Sequence, residues 1–187
     1  MDRDSILVAN TLKGDIDSFS LLVQNYQNRL YSFLLKMTYS REDAEEILQE
    51  VFIRAYNYLY KYNSSLSFSS WIYRIAVNTF KTEYKKKKKN DFVDLHGEMP
   101  EDLCSIDHCP ETVYEMKEHY REIIGLVNSL KGEQKMAFLL KNVQGFSYKE
   151  VGEILGISAQ AAKMRVQRAR EALWIKFEEQ RKRGVQI

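Results

Sequence analysis

Residues 91–110 hold six carboxylates (Asp91, Asp94, Glu98, Glu101, Asp102 and Asp107), no lysine or arginine, and both prolines of the chain. No helical period runs through them, so they cannot merge the flanking segments into one core and read as a flexible acidic linker. The flanks, residues 1–90 and 111–187, each carry 14 basic and 10 acidic side chains. The net charge of +2 therefore hides two basic bodies, each +4, on a tether of −6. With 44% hydrophobic residues and scarce strand patterns, the expected fold is all-α, two small helical domains rather than one large core.

In the first domain, Ser5–Leu12 reads as a short helix ended by Gly14. A longer helix follows over about Asp17–Thr38, with Phe19, Leu22, Val23, Tyr26, Leu30, Phe33, Leu34 and Met37 at helical spacing. A third, from Arg41 to about Tyr60 behind a Ser40 cap, buries Ala44, Ile47, Leu48, Val51, Phe52, Ala55 and Leu59. Its other face carries Glu42, Glu46, Gln49 and Glu50 with Ile53 among them. That is either a solvated face or a docking surface for a basic helix. A fourth, about Phe68–Lys86, buries Phe68, Ile72, Ile75, Ala76 and Thr79 and projects Trp71, Arg74, Asn78, Lys81 and Lys85. Cations track phosphates and aromatic rings stack on unpaired bases, so the stripe suits DNA being opened. A basic helix with Trp71 tucked into the core is the competing reading.

In the second domain, Ser147 and Glu150 have the spacing of a capping box, and Val151, Ile154 and Leu155 supply an apolar face before Gly156 breaks the helix. Ser158 caps a second helix, whose Ala162, Val166, Ala169 and Leu173 line one side. The opposite side is Gln160, Lys163, Met164, Gln167 and Arg168, with Arg165 and Arg170 flanking it. Helix, tight turn and basic helix match a duplex-DNA reader, whose second helix enters the major groove by its N-terminal turns. A helical hairpin with a solvated basic face is the plainer alternative.

Other chemistries find little support. Two cysteines make no disulfide framework, and no apolar run has transmembrane length or follows a signal-peptide pattern, which points to the cytoplasm. His96, Cys104, His108 and Cys109 place four potential ligands close together, but not at a usual zinc spacing, so no metal or cofactor is expected. There is no nucleophile elbow, phosphate-binding glycine loop or metalloprotease motif, and the chain does not read as an enzyme.

Three blocks together resemble bacterial RNA polymerase sigma factors of the extracytoplasmic-function (ECF, sigma-70 group 4) type, over about Leu7 to Leu173. Asp43-Ala-Glu-Glu-Ile-Leu-Gln-Glu-Val-Phe52 is similar to the region 2 segment that grips the polymerase β′ coiled coil. Phe68-Ser-Ser-Trp-Ile-Tyr-Arg-Ile-Ala-Val-Asn78 is similar to the helix that opens and reads the −10 element. Gly145-Phe-Ser-Tyr-Lys-Glu150 through Arg168-Ala-Arg-Glu-Ala-Leu173 resembles the region 4 helix-turn-helix for the −35 element.

The resemblance implies a sigma region 2 helical bundle over 1–90 and a sigma region 4 helix-turn-helix over 111–187. It implies core-polymerase contacts at Asp43, Glu46, Gln49, Glu50 and Ile53, and a loop from Tyr60 to Ser67 that receives a flipped −10 base. The −10 contacts would be Asn63, Ser64, Phe68, Trp71, Arg74, Asn78, Lys81 and Lys85; the −35 contacts Ser158, Gln160, Lys163, Met164, Arg165, Gln167 and Arg168. Implied partners are core RNA polymerase (β′ coiled coil and β flap), promoter DNA and an anti-sigma factor, often membrane-bound, with no small-molecule substrate. One departure is Ala161-Ala162, where the family usually carries Thr-Val, which removes a hydroxyl contact. The rival reading, a stand-alone helix-turn-helix regulator, leaves the acidic helix and the Trp71 stripe without a role.

Overall fold

The computed structural model describes residues 3–90 and 124–184, with side chains over 3–86 and 124–182. The expected linker at 91–110, with His96, Cys104, His108 and Cys109, lies outside the described residues. Every regular element among those described is helical: α1 (Arg3–Leu12), α2 (Ile16–Thr38), α3 (Arg41–Asn57), a 3-10 turn (Leu59–Lys61), α4 (Phe68–Asn90), α5 (described over 124–128), α6 (Gly132–Phe138), α7 (Tyr148–Leu155) and α8 (Ala159–Gly184). The chain divides into two compact units, the first holding α1–α4 and the second α5, α6, the start of α7 and α8.

In the first unit α1 packs on α2, α2 on α3 and α3 on α4. The expected stripes supply the core: Leu22, Tyr26, Leu30, Phe33 and Leu34 from α2, Ala44, Ile47, Val51 and Ala55 from α3, and Phe68, Ile72, Ala76 and Thr79 from α4. Each large apolar side chain removed from water contributes about 1.5–3 kcal/mol. Phe19, Val23, Leu48, Phe52 and Ile75, expected in the core, are half-buried at its edge, whereas Tyr73, Val77 and Phe80 lie inside it. The edge-to-face contact of Phe33 with Tyr73, 5.5 Å between centroids, shows why: α2 meets α4 over a broader arc than one stripe.

Local chemistry sets the ends. Asp15 caps α2 by accepting the N–H groups of Asp17 and Ser18 and the Ser18 hydroxyl, and the hydroxyl bond holds its carboxyl below the ordinary value. Ser40 caps α3 as expected, its Oγ accepting the Asp43 N–H at 3.2 Å. α3 stops at Asn57 rather than near Tyr60, because the chain tightens into the 3-10 turn that keeps Leu59 buried. Ser67 caps α4 through the Ser70 N–H at 3.1 Å.

In the second unit α6 runs into a π-helical turn at Leu139–Val143 and packs on α8. Leu139, Leu140, Phe146, Val151, Ala162, Val166 and Ala169 form its core, while Leu173 stays half-buried. Lys135 is 2% exposed; its Nζ donates to Asn128 Oδ1 at 3.1 Å, which keeps an ammonium hydrogen-bonded inside the unit.

Candidate functional site

The outer side of α3 forms one wall of a groove of about 360 Å³, lined by Glu46, Ile47, Gln49, Glu50, Ile53 and Arg54 with Glu83 and Lys86 of α4. Four of the five residues expected to meet the polymerase, Glu46, Gln49, Glu50 and Ile53, therefore sit together. Asp43 lies a turn earlier, outside the lining, where its N–H completes the Ser40 cap. Ile53 is 55% exposed, a branched apolar side chain held among carboxylates.

Sequence reasoning missed the cations of this groove. Arg54 Nε donates to Glu50 Oε1 at 2.5 Å, and Lys86 Nζ donates to Glu83 Oε1 at 2.7 Å. Three carboxylates against two cations leave the lining one charge negative, and exposed pairs of this kind are worth under about 1 kcal/mol each. The Glu50–Arg54 spacing of four could have been found in the sequence; Glu83 and Lys86 join only because α4 packs on α3.

Between α3 and α4 the chain makes a hydrogen-bonded loop. The Tyr62 hydroxyl donates to the Leu66 carbonyl at 2.7 Å, the Leu66 N–H to the Asn63 carbonyl at 3.1 Å, and the Ser65 N–H to Asn63 Oδ1 at 2.9 Å. Asn63 and Ser64 stand exposed on it. Beyond the loop, Arg74, Asn78 and Lys85 are exposed, with Lys81 and Trp71 half-buried on the same stripe. Trp71 rests edge-on against Tyr62 at 5.5 Å and beside Phe68 at the same separation, so the indole is half core and half surface. Phe68 requires a correction. At 1% exposure, met by Tyr26 and Tyr62, its ring is a core anchor and offers DNA no face. Tyr62, which braces Trp71, lies in the loop expected to receive a flipped base but is not among the individually expected contacts.

The helix-turn-helix is built as its spacing predicts. Ser147 Oγ accepts the Glu150 N–H at 3.2 Å, while the Glu150 carboxylate accepts the Ser147 N–H at 2.8 Å and its hydroxyl at 2.7 Å. Gly156 turns the chain at φ +70°, and Ser158 Oγ accepts the Ala161 N–H at 3.1 Å. Gln160, Lys163, Met164, Gln167 and Arg168 are exposed on α8 while Ala162, Val166 and Ala169 are buried.

Two expected contacts change character. Arg165 is half-buried and paired with Glu133 of α6 at 3.1 Å, so its charge is already engaged. The Ser158 hydroxyl oxygen serves the helix cap. Gln167 Nε2 reaches Glu171 at 3.0 Å, and Arg170 donates to Asn142 Oδ1 at 2.6 Å. Of the Ala161-Ala162 departure, Ala162 is core and Ala161 half-buried. Among the described residues no cluster of His, Cys, Asp or Glu is placed to hold a metal, and no helix is long and apolar enough to cross a membrane.

Two helical units, one with a basic and aromatic helix and one with a helix-turn-helix, define a DNA-reading protein. Comparison with known proteins makes that specific. Residues 22–90 match the family described as Sigma-70 region 2, and residues 120–173 that described as Sigma-70, region 4. The chain is 32% identical over 178 residues to the ECF RNA polymerase sigma-E factor of Haemophilus influenzae, covering 91% of this chain and 93% of that protein. Its fold is similar to that of CnrH, solved with the cytosolic domain of CnrY (TM-score 0.71, 20% identity, 95% of this chain and 99% of that one). It is also similar to the sigma factor RpoE of Bartonella quintana, solved with the anti-sigma factor NepR (TM-score 0.68, 20% identity, 86% and 96%).

The chain belongs to the extracytoplasmic-function group of sigma-70 RNA polymerase sigma factors, which direct promoter-specific transcription initiation. A stand-alone helix-turn-helix regulator would account for residues 120–173 and leave the region 2 match without a role.

Proposed function

We propose that the two units divide the work of a dissociable specificity subunit in the cytoplasm, with catalysis left to the polymerase. The groove of Glu46, Gln49, Glu50 and Ile53 receives a basic helical element of the core enzyme, the loop and the Trp71 stripe engage the −10 element, and the exposed face of α8 reads the −35 element. The observation that carries this reading is the groove, which gathers residues from α3 and α4 into one apolar and acidic seat. Gln160 and Lys163, on the first turns of α8, are placed to reach base edges, and Arg168 suits a phosphate.

Two DNA contacts on one polymerase-bound chain gain from effective concentration, so neither unit needs tight binding by itself. Both solved neighbours were captured with a protein partner, NepR being an anti-sigma factor by name, which supports an inhibitor of that class, soluble or membrane-bound, for this chain. Run-off transcription with purified core enzyme tests the reading. Adding the protein should produce transcripts from its own promoters; Glu46→Lys with Ile53→Asp should abolish them while helical circular dichroism is unchanged. Sequence-specific gel shifts by the free protein, with no effect on core enzyme, would sink it.

A further inference from the structure

One hydroxyl in the first unit joins three helices. Tyr26 of α2 is 6% exposed, and its Oη donates to the Asp4 carboxylate in the first turn of α1, 22 residues away in sequence. The same oxygen accepts the Ser69 hydroxyl in the first turn of α4. Burial, and then the bond to Asp4, push the phenol well above its ordinary value, so it holds the proton it donates.

Packing alone does not require this hydroxyl. A phenylalanine at 26 would fill the same space, and a carboxylate at the start of α1 suits the helix dipole without a partner. What a charge-assisted bond adds is direction, since it fixes where the ring points as well as that it is buried. Tyr26 meets Phe68 edge-on at 5.3 Å, and Phe68 in turn lies 5.5 Å from Trp71 at a tilt of 39°. Contacts between rings depend on their mutual orientation, so a rotation of Tyr26 passes through the buried Phe68 to the indole. Ser69 ties the same turn of α4 to the same oxygen.

Asp4 also lies ahead of residues 22–90, which match Sigma-70 region 2, so the bond brings a group from outside that segment to bear on it. We propose that Asp4, Tyr26 and Ser69 are positioning residues for promoter opening, a relay that sets the angle at which Trp71 presents its half-exposed indole to the opened −10 strand. This rests on the assignment of the Trp71 stripe to the −10 element.

The test has an optical and a binding arm. In the free Trp174→Phe chain emission comes from Trp71, the other of the two tryptophans. There Tyr26→Phe and Asp4→Ala should each shift emission to the red and increase quenching by acrylamide, and Asp4→Asn, which keeps an acceptor, should restore part of the original signal. In the holoenzyme, Tyr26→Phe should weaken binding to DNA with a single-stranded −10 tail by about two- to ten-fold, the range that one hydrogen bond spans. Binding to a duplex −35 fragment should not move.

A double-mutant cycle separates positioning from mere stability. In a Trp71→Ala background the Tyr26→Phe loss should vanish, because the group it positions is gone. Ser69→Ala repeats the cycle with the core ring untouched. Additive losses, an unmoved Trp71 emission, or equal weakening on both DNAs overturn the relay while leaving the −10 assignment standing. If Trp71→Ala by itself leaves tail binding unchanged, the −10 assignment fails and the proposal falls with it.

Discussion

The Gly152 carbonyl accepts the Ile157 N–H at 2.9 Å, and at that approach a Cβ on residue 152 would stand 2.7 Å from the Ile157 carbonyl oxygen. The bend between α7 and α8 is closed so tightly that only a hydrogen fits. Gly152→Ala is therefore expected to destabilise the second unit by about 1–3 kcal/mol, the usual penalty of overpacking. Hydrogen exchange on the full chain checks it: amides of α7 and α8 should lose protection, and those of α1–α4 should keep theirs.

Phe68 and Trp71 should separate stability from DNA binding. Phe68→Ala removes a buried ring and is expected to cost about 3–5 kcal/mol of first-unit stability in denaturant titration. Trp71→Ala, on the half-exposed indole, should cost much less and appear as weaker affinity for single-stranded −10 DNA.

For the groove, opposite signs are expected from neighbouring changes. Glu46→Lys should weaken binding to core polymerase by about ten-fold or more, since a like charge then faces a basic partner. Arg54→Gln releases Glu50 from its internal pair and should tighten binding by about two- to five-fold, in line with the small worth of an exposed ion pair. Competition against a labelled wild-type chain measures both.

On α8, Lys163→Ala should lower affinity for the −35 element, whereas Arg165→Ala should change it little because Glu133 already holds that guanidinium. Glu133→Gln frees Arg165 and should raise DNA affinity with a salt dependence steeper by about one ion. Holoenzyme titrations at several salt concentrations distinguish these outcomes.

Burial pushes the phenols of Tyr39 and Tyr73 up to about 12. A folded value raised above the unfolded one near 10 contributes stability that is complete below about pH 10 and is lost as pH rises through the folded value. The first unit should therefore lose helical signal between about pH 10 and 12, together with the rise of tyrosinate absorbance. Tyr73→Phe should move that loss to higher pH.

What the sequence made legible were features whose cause is local. The core stripes follow from 3.6-residue spacing, the Ser40 cap and the Ser147–Glu150 box from residues three apart, and the Gly156 break from its positive φ. What escaped depended on how helices meet. Glu83 and Lys86 belong to the groove because α4 lies along α3, Arg165 is engaged because α6 crosses α8, and Gly152 matters because Ile157 folds back onto it. Phe68 is expected both in the core and among the −10 contacts, and only its packing against Tyr26 and Tyr62 decides between them. Tyr58 and Tyr60 break the helical pattern at a turn that periodicity had read as continuous helix.

The chain's two tryptophans fall one to each unit, Trp71 bedded against Tyr62 and Phe68 and Trp174 63% exposed on α8. Nature has thereby installed two optical reporters with different surroundings. Excitation of the unlabelled chain should yield a bluer emission from the first and a redder one from the second, so that promoter opening and upstream docking can be timed separately in one stopped-flow trace.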